Sequence, residues 1–448
     1  MKKFGMPHPL ALLVGGILIA AAFTWILPAG EYDRREDPAT GKTVVVNGTY
    51  HAIASQPLSA WQAMIAIPKG LEGGADVIMF VFLAGGALLV LDRTGALRGT
   101  VNGLARTLGH RETLIIPVFC IVFGALGAAE NMQEEIIALI PLLLIVTRRV
   151  GFDALTAAAM SVGAAMVGSA FSPINPFQAV IAQKLAGLPV GSAFGFRLTM
   201  VLLALAFWTA ATMRYAIRTR GQRVESADPP PTGASPVRIQ LVMVIAVACL
   251  SVFVYGVSRL DWSFEQMGAL FFVLGVSAGL VGGLGVTGTA EGFAEGFGAM
   301  AYASLLIGFA RVIKVVLEQG HVMDTIVYGL FQPLAHLPVA ASAAGMVAAQ
   351  GAIHVFVPSV SGQAALTMPV LVPLSDLLGL SRQVTVLAYQ TGAGMCELVT
   401  PTNGALMAVI ASAGVSYDKW IHFAAPVVGI MVLGALGAIY LAVAIGLQ

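Results

Sequence analysis

Two short polar stretches, Ser172-Pro173-Ile174-Asn175 and Thr400-Pro401-Thr402-Asn403, interrupt apolar runs 228 positions apart. Proline inside a helix removes a backbone donor and frees carbonyls, which are costly in lipid unless satisfied. Ser172, Asn175, Thr400, Thr402 and Asn403 bring hydroxyls and amides to those same points. Freed carbonyls and side-chain oxygens can cage Na⁺, and the N-termini of the half-helices beyond each break suit a substrate carboxylate. At either break alone, a kink patched by its own Ser or Thr explains as much. Two breaks in register favour a binding site.

Two further polar clusters fall in the middle of apolar pairs. The first, Ala129 to Glu134, holds Asn131 and Gln133; at the same offset the second, Pro358 to Gln363, holds Ser359 and Ser361. Such side chains can hydrogen-bond a substrate without charging a cavity, or can simply cap their own helices. Acidic groups are rare in these regions and each asks for a reason. Glu130, Glu134 and Glu135 crowd the first cluster, and Glu397 stands three residues before Thr400. They can carry coupling protons, bind Na⁺, hold a cationic amine, or face a water-filled vestibule. Arg311 is the matching cation, suited to a carboxylate. In the competing reading, Arg311 and Lys314 snorkel to the interface or pair with Glu318.

Other candidates read as structural. His354 lies in an apolar run and is expected to be a packed histidine. The glycines from Gly275 to Gly288 permit close helix packing and lack the lysine of a phosphate loop. Cys120, Cys249 and Cys396 are far apart without metal-ligand spacing. No nucleophile elbow or His-Glu-x-x-His motif is present, so an enzyme is not expected and no cofactor is implied beyond Na⁺ or H⁺ as coupling ion.

The elements that would position these residues are transmembrane helices. The chain is 58% hydrophobic and 10% charged, with a mean hydropathy of +0.86, where a soluble protein carries roughly a quarter charged residues. Apolar segments of about 20 residues recur throughout. The expected class is an all-α polytopic membrane protein, and a net charge of +1 points to no nucleic-acid partner.

Spans are expected near 9–28, 75–92, 153–187, 193–213, 238–257, 265–285, 298–317, 380–411 and 423–446. The third is broken at Ser172 and the eighth at Thr400. The pairs 113–147 and 338–378 read as re-entrant hairpins, because strokes of about 15 residues fall short of a crossing. About nine spans plus two hairpins place five spans between matching points, and an odd number inverts the second copy. The expected units are 1–223 as first inverted repeat, 224–237 as cytoplasmic linker with Pro229-Pro230-Pro231, and 238–448 as second inverted repeat. Residues 93–111 read as an amphipathic surface helix, with about 321–336 as its counterpart, and 30–74 as a polar outer loop. The run from Leu10 to Leu27 is too long for a signal h-region and reads as a first span with its N-terminus inside. That orientation leaves fourteen Lys and Arg inside against eight outside and an extracytoplasmic C-terminus.

Several runs resemble the YfcC-like branch of the DcuC-type carriers, within the ion-transporter superfamily. They are Thr24-Trp25-Ile26-Leu27-Pro28-Ala29-Gly30-Glu31-Tyr32, Ile174-Asn175-Pro176-Phe177, Ser381-Arg382-Gln383 and the specific stretch from Val357 to Pro369. The resemblance runs end to end. It implies two inverted repeats, each with a hairpin and a broken helix, a homodimer, and an elevator motion in a bacterial inner membrane. It also implies a carrier of C4-dicarboxylates or of basic amino acids, and Glu397 beside the second break supports the amino-acid reading.

The expected function is therefore an ion-coupled secondary transporter of a small carboxylate-bearing metabolite. Substrate would meet Asn131, Gln133, Asn175, Ser359, Ser361, Thr402, Asn403 and Arg311. The coupling ion would sit among Ser172, Asn175, Thr400, Asn403, Glu397 and Glu134. An arginine/ornithine-like antiporter is the alternative. A channel or an intramembrane enzyme is the more distant one, since neither a ring of like charges nor a nucleophile–base pair is present.

Overall fold

A computed structural model of the chain describes residues 8–96, 109–221, 236–260 and 262–447. Most of the expected surface helix at 93–111 and of the linker at 224–237 lies outside them. Among the described residues, eight helices are long and apolar enough to cross a membrane. That number of apolar helices is what a multi-pass membrane protein carries.

The first half runs α1 (Pro9–Ile26), the short α2 (Ala60–Ile65) and α3 (Ile67–Glu72), and α4 (Ala75–Arg93). Then come α5 (Ile115–Glu130), α6 (Glu135–Val150), α7 (Ala154–Ala158), α8 (Ala164–Ala170), α9 (Ile181–Leu185) and α10 (Phe194–Arg218). The second half runs α11 (Pro236–Leu260), α12 (Phe264–Gly282), α13 (Gly285–Gln319) and α14 (Met323–Phe331). It continues with α15 (Val339–Phe356), α16 (Val360–Leu378), α17 (Arg382–Glu397), α18 (Gly404–Ser412) and α19 (Tyr417–Ala444).

Both expected helix breaks are present, between α8 and α9 and between α17 and α18. Single-turn π-helices at Ala159–Gly163 and Pro176–Val180 flank the first. The polar tips separate α5 from α6 and α15 from α16. Asn131 ends α5 in the left-handed region at φ 55°, a conformation Asn tolerates better than most residues. α6, at 16 residues, matches the strokes of about 15 residues expected from sequence, while one limb of each pair is longer once the turn before α5 is included. Glu112–Glu130 spans 19 residues and Val339–Phe356 spans 18, enough by length and composition to cross. Length alone therefore does not separate a hairpin limb from a span here.

Strands correct the all-helical expectation. Within the polar loop at 30–74, β1 (Gly30–Glu31) pairs with β4 (His51–Ala52), and β2 (Arg34–Asp37) with β3 (Lys42–Val45). Asp37 accepts the Thr40 amide and Gly41 turns at φ 63°, closing the second hairpin, while Thr43-Val44-Val45 supply β-branched residues. The loop is tied to α14: the Tyr32 amide and the Arg34 guanidinium both reach the Asp324 carboxylate at 2.9 Å. Burial still pushes the Asp324 carboxyl above the usual carboxylate range, against the pull of those two donors.

Two close crossings set the core around the breaks. A Cβ at Gly127 would overlap the Ala165 carbonyl, and one at Gly168 the Gly124 carbonyl, so α5 and α8 touch backbone to backbone. Gly392 stands in the same relation to the Val347 carbonyl where α17 crosses α15. Such contact needs residues without side chains and places polar backbone within reach of the breaks.

Candidate functional site

The first break is held by its own side chains. Ser172 Oγ accepts the amides of Ile174 (3.0 Å) and Asn175 (2.9 Å) and donates to the Ala128 carbonyl at 2.6 Å. Asn175 Oδ1 caps the half-helix, accepting from Phe177 (2.9 Å) and Gln178 (3.0 Å). Its Nδ2 donates to the Gly127 carbonyl (2.9 Å) and to Ser169 Oγ (3.1 Å), and Ser169 Oγ is itself bonded to Asn131 Oδ1 at the first tip. The lone pairs of Ser172 Oγ and Asn175 Oδ1 are thus filled by backbone N–H groups, leaving none to face a cation.

The second break is less saturated. Thr400 and Thr402 hydroxyls bond to each other at 2.8 Å, and Asn403 Oδ1 caps α18 through the Leu406 amide at 2.9 Å. Asn403 Nδ2 makes no hydrogen bond among the described residues. The carbonyls freed just before this break are served from α19: Trp420 Nε1 donates to Leu398 at 2.8 Å and the Tyr417 hydroxyl to Val399. Across the molecule, Gln390 of α17 donates to the Ser172 carbonyl at 3.0 Å. Every freed carbonyl named here has a partner, as a lipid-embedded break demands.

The first tip reaches both breaks. Gln133 Nε2 donates to Glu397 Oε2 at 2.9 Å across 264 residues of sequence. Glu397 Oε1 faces His354 Nε2 at 3.9 Å, and both side chains are buried. Asn131, Gln133, Ser172, Asn175 and Glu397 therefore form one connected polar cluster, and His354, packed in the core as expected, lies beside its Glu397 end.

The other sequence-predicted residues lie around this cluster without bonding to it. Ser359 is exposed and caps α16 by accepting the Gly362 amide, and Ser361 is half-buried in the first turn. Arg311 donates to the Gly73 carbonyl, while Lys314 pairs with Glu318 at 3.4 Å. Gly404, at the start of α18, packs on Ile307 and Ala310, which puts Arg311 on the same stretch of α13 as the second break. The Arg311 charge also acts on Glu134, half-buried beside the first tip. A polar cleft of about 650 Å³ lies elsewhere, lined by Gln56, Gln62, Lys69, Gln319 and His321 among others, and by none of these residues.

Sequence reasoning missed the glutamines and one arginine. Arg197 of α10 is fully buried and has no carboxylate partner among the described residues. Its Nε donates to Gln390 Oε1 (2.9 Å), its Nη1 to the Ser192 carbonyl (2.7 Å) and Gln383 Oε1 (3.0 Å), and its Nη2 has no partner. Arg197 holds Gln390, and Gln390 holds the Ser172 carbonyl. The signal was available: amides such as Gln350, Gln363, Gln383 and Gln390 are unusual in apolar spans. Because an ammonium cannot serve three acceptors spread over a planar fork, Arg197→Lys is expected to cost about 2 kcal/mol. A lowered thermal midpoint in detergent would show it, and an unchanged midpoint would mean the fork is dispensable.

A family model described as C4-dicarboxylate anaerobic carrier, DcuC, matches residues 6–444. The chain is 30% identical to an Escherichia coli K12 protein named "Putative basic amino acid antiporter YfcC", over 96% of this chain and 95% of that one. It is 28% identical to an uncharacterized protein of Haemophilus influenzae, over 100% and 98% of the two chains. Among solved structures it is similar to the YdaH transporter of Alcanivorax borkumensis, with 16% identity, a TM-score of 0.46 and coverage of 98% and 99%. It is also similar to MtrF of Neisseria gonorrhoeae, described as illuminating a class of antimetabolite efflux pumps, with 16% identity, a TM-score of 0.43 and coverage of 97% and 94%.

Proposed function

From the premise that this chain belongs to the DcuC family of C4-dicarboxylate anaerobic carriers, and is thus a membrane transporter, we propose that it is an ion-coupled secondary carrier of a small carboxylate-bearing metabolite. It works by alternating access, as a homodimer with an elevator motion, in a bacterial inner membrane with the N-terminus cytoplasmic and the C-terminus outside. The substrate carboxylate meets the half-helix that begins at Asn403, with Arg311 on the neighbouring α13 supplying positive charge. Thr402, the tip residues Asn131 and Gln133, and Ser359 and Ser361 complete the surroundings. Asn175 and Ser172 hold the first break rigid beneath them.

The observation that carries this reading is the unequal saturation of the two breaks. Asn403 keeps an amide nitrogen without a partner among the described residues at a helix N-terminus, where the dipole favours an anion. The proposed two inverted repeats, 1–223 and 238–448 joined by 224–237, are supported by matched packing. α5 lies on α8 and α10 as α15 lies on α17 and α19, while α8 meets α17 and α10 meets α19. On this reading α5–α6 and α15–α16 are the two hairpins.

A second reading, exchange of basic amino acids, is favoured by the buried carboxylate of Glu397 and by the name of the E. coli relative. A panel of dicarboxylates, keto acids and amino acids, each with and without Na⁺, tests both by thermal shift of the purified protein. The account expects one class to stabilise wild type, and Asn403→Ala to lose that shift while its ligand-free midpoint falls by no more than the loss of a cap, about 1 kcal/mol. A full ligand shift in Asn403→Ala would remove Asn403 from the site.

A further inference from the structure

We infer that Glu397 and His354 together form the coupling-proton site of this carrier, with the proton held between Glu397 Oε1 and His354 Nε2; the inference rests on the transporter reading above. The hydrogen bonds around the pair dictate it. Gln363 Nε2 donates to the main-chain carbonyl of Gln350 at 2.8 Å, and a carbonyl can only accept, so the amide of Gln363 is oriented by that bond. Its Oε1 is therefore the atom facing His354 Nδ1 at 2.8 Å, and Nδ1 must carry a hydrogen. In the neutral imidazole that leaves Nε2 as a bare lone pair.

A carboxylate oxygen of Glu397 lies 3.9 Å from this nitrogen, which has no hydrogen-bond partner among the described residues. Two acceptors facing each other in a buried space repel unless something positive stands between them. One proton lets the pair close into an O–H···N or O⁻···H–N⁺ hydrogen bond, which satisfies both atoms. Na⁺ fits poorly, because it prefers several oxygen ligands and one side of the gap is the imidazole nitrogen of His354. Glu397 Oε2 is already fixed by Gln133, so the carboxylate cannot swing away without releasing the first tip.

The remaining ionisable groups on the packed elements leave the gap free. Glu134 at the first tip and Tyr389 and Cys396 on α17 share the field of Glu397. Glu130 and Glu135 flank the same tip and act on each other and on Glu134. Asp324 is committed to Arg34, Asp376 to Arg382, Asp418 to His422, and Tyr417 to the Val399 carbonyl. Lys184, Tyr328, His336, Lys419 and Tyr440 are exposed.

The position of the pair makes protonation a coupling event. Glu397 ends the helix before the second break, Gln133 lies on the first tip, and His354 sits on α15 beside α16. Loading or losing the proton changes the contact between those three elements, next to Asn403. One proton enters the gap from one aqueous side and leaves to the other in each cycle, moving one positive charge and consuming nothing else.

The test uses full-length wild type, Glu397→Gln and His354→Gln in liposomes carrying an internal pH dye, with labelled succinate and L-arginine as probes. Wild type is expected to take up its probe uphill on a pH gradient without Na⁺. Both variants are expected to lose gradient-driven uptake and dye response, and His354→Gln to keep substrate-for-substrate counterflow. Uphill uptake by wild type that follows Na⁺ alone, or pH-driven uptake retained by both variants, would overturn the proposal while leaving the transporter reading intact. Absent counterflow of either probe in wild type counts against the substrate reading instead. Infrared difference spectra between acid and alkaline pH need no substrate. They should show a carboxyl band that Glu397→Gln removes and His354→Gln shifts. No such band in folded wild type, or one that Glu397→Gln leaves in place, overturns the proton site.

Discussion

Asn175→Ala is expected to abolish uptake and to lower the thermal midpoint of the purified carrier by several degrees. The side chain makes four hydrogen bonds, two capping the half-helix and two reaching the Gly127 carbonyl and Ser169. Losing the cap costs about 1 kcal/mol. Leaving the Gly127 carbonyl buried without its donor costs on the order of 1–3 kcal/mol more. The sum, roughly 2–4 kcal/mol, is a large share of a marginal stability. Function falls with it, because the same bonds lock the first tip to the first break. Asn403→Ala loses a single cap bond and should separate the two effects, with uptake lost and the fold nearly intact. Fluorescence-detected melts and counterflow on both variants measure this. Wild-type melting in Asn175→Ala would mean that the break stands without its asparagine.

Gly127→Leu should yield no monodisperse folded protein. A side chain there would be driven into the Ala165 carbonyl, and that carbonyl belongs to a helix that cannot move aside without opening the first break. Overpacking a well-filled core costs about 1–3 kcal/mol when side chains can adjust, and more is expected where backbone meets backbone. Gly168→Leu, aimed at the Gly124 carbonyl from the opposite helix, should behave alike. Gly429→Leu is the control, since a Cβ there meets nothing within 4 Å. Size-exclusion profiles of the three variants decide it, and a normal profile for Gly127→Leu would show that the crossing is looser than described.

The breaks were legible because proline and asparagine leave a local mark: a lost donor, freed carbonyls and a cap residue within four positions. The first tip was legible for the same reason, since Asn131 to Glu134 cannot continue an apolar helix. What closes these features was not legible. Gln390 reaches the Ser172 carbonyl over 218 residues, and Gln133 reaches Glu397 over 264. Periodicity reports which face of a helix is apolar, not which distant helix lies opposite. His354 read as a core histidine because nothing within its own run is charged, and its acidic neighbour arrives from α17. The small strands in the loop at 30–74 were hidden by their length, two to four residues each. Arg197 stands near the start of α10, and counting charges treats an arginine near a helix end as solvated, so its burial leaves no mark in the sequence.

The central claim is a saturable carrier for a small carboxylate whose site is the second break. Counterflow tests it most directly: proteoliposomes loaded with one unlabelled dicarboxylate or amino acid are diluted into the same labelled compound. The account predicts transient accumulation of label above equilibrium for one of the two classes, lost in Asn403→Ala. Label that only equilibrates, in a flux that does not saturate, would contradict it and make the protein a pore.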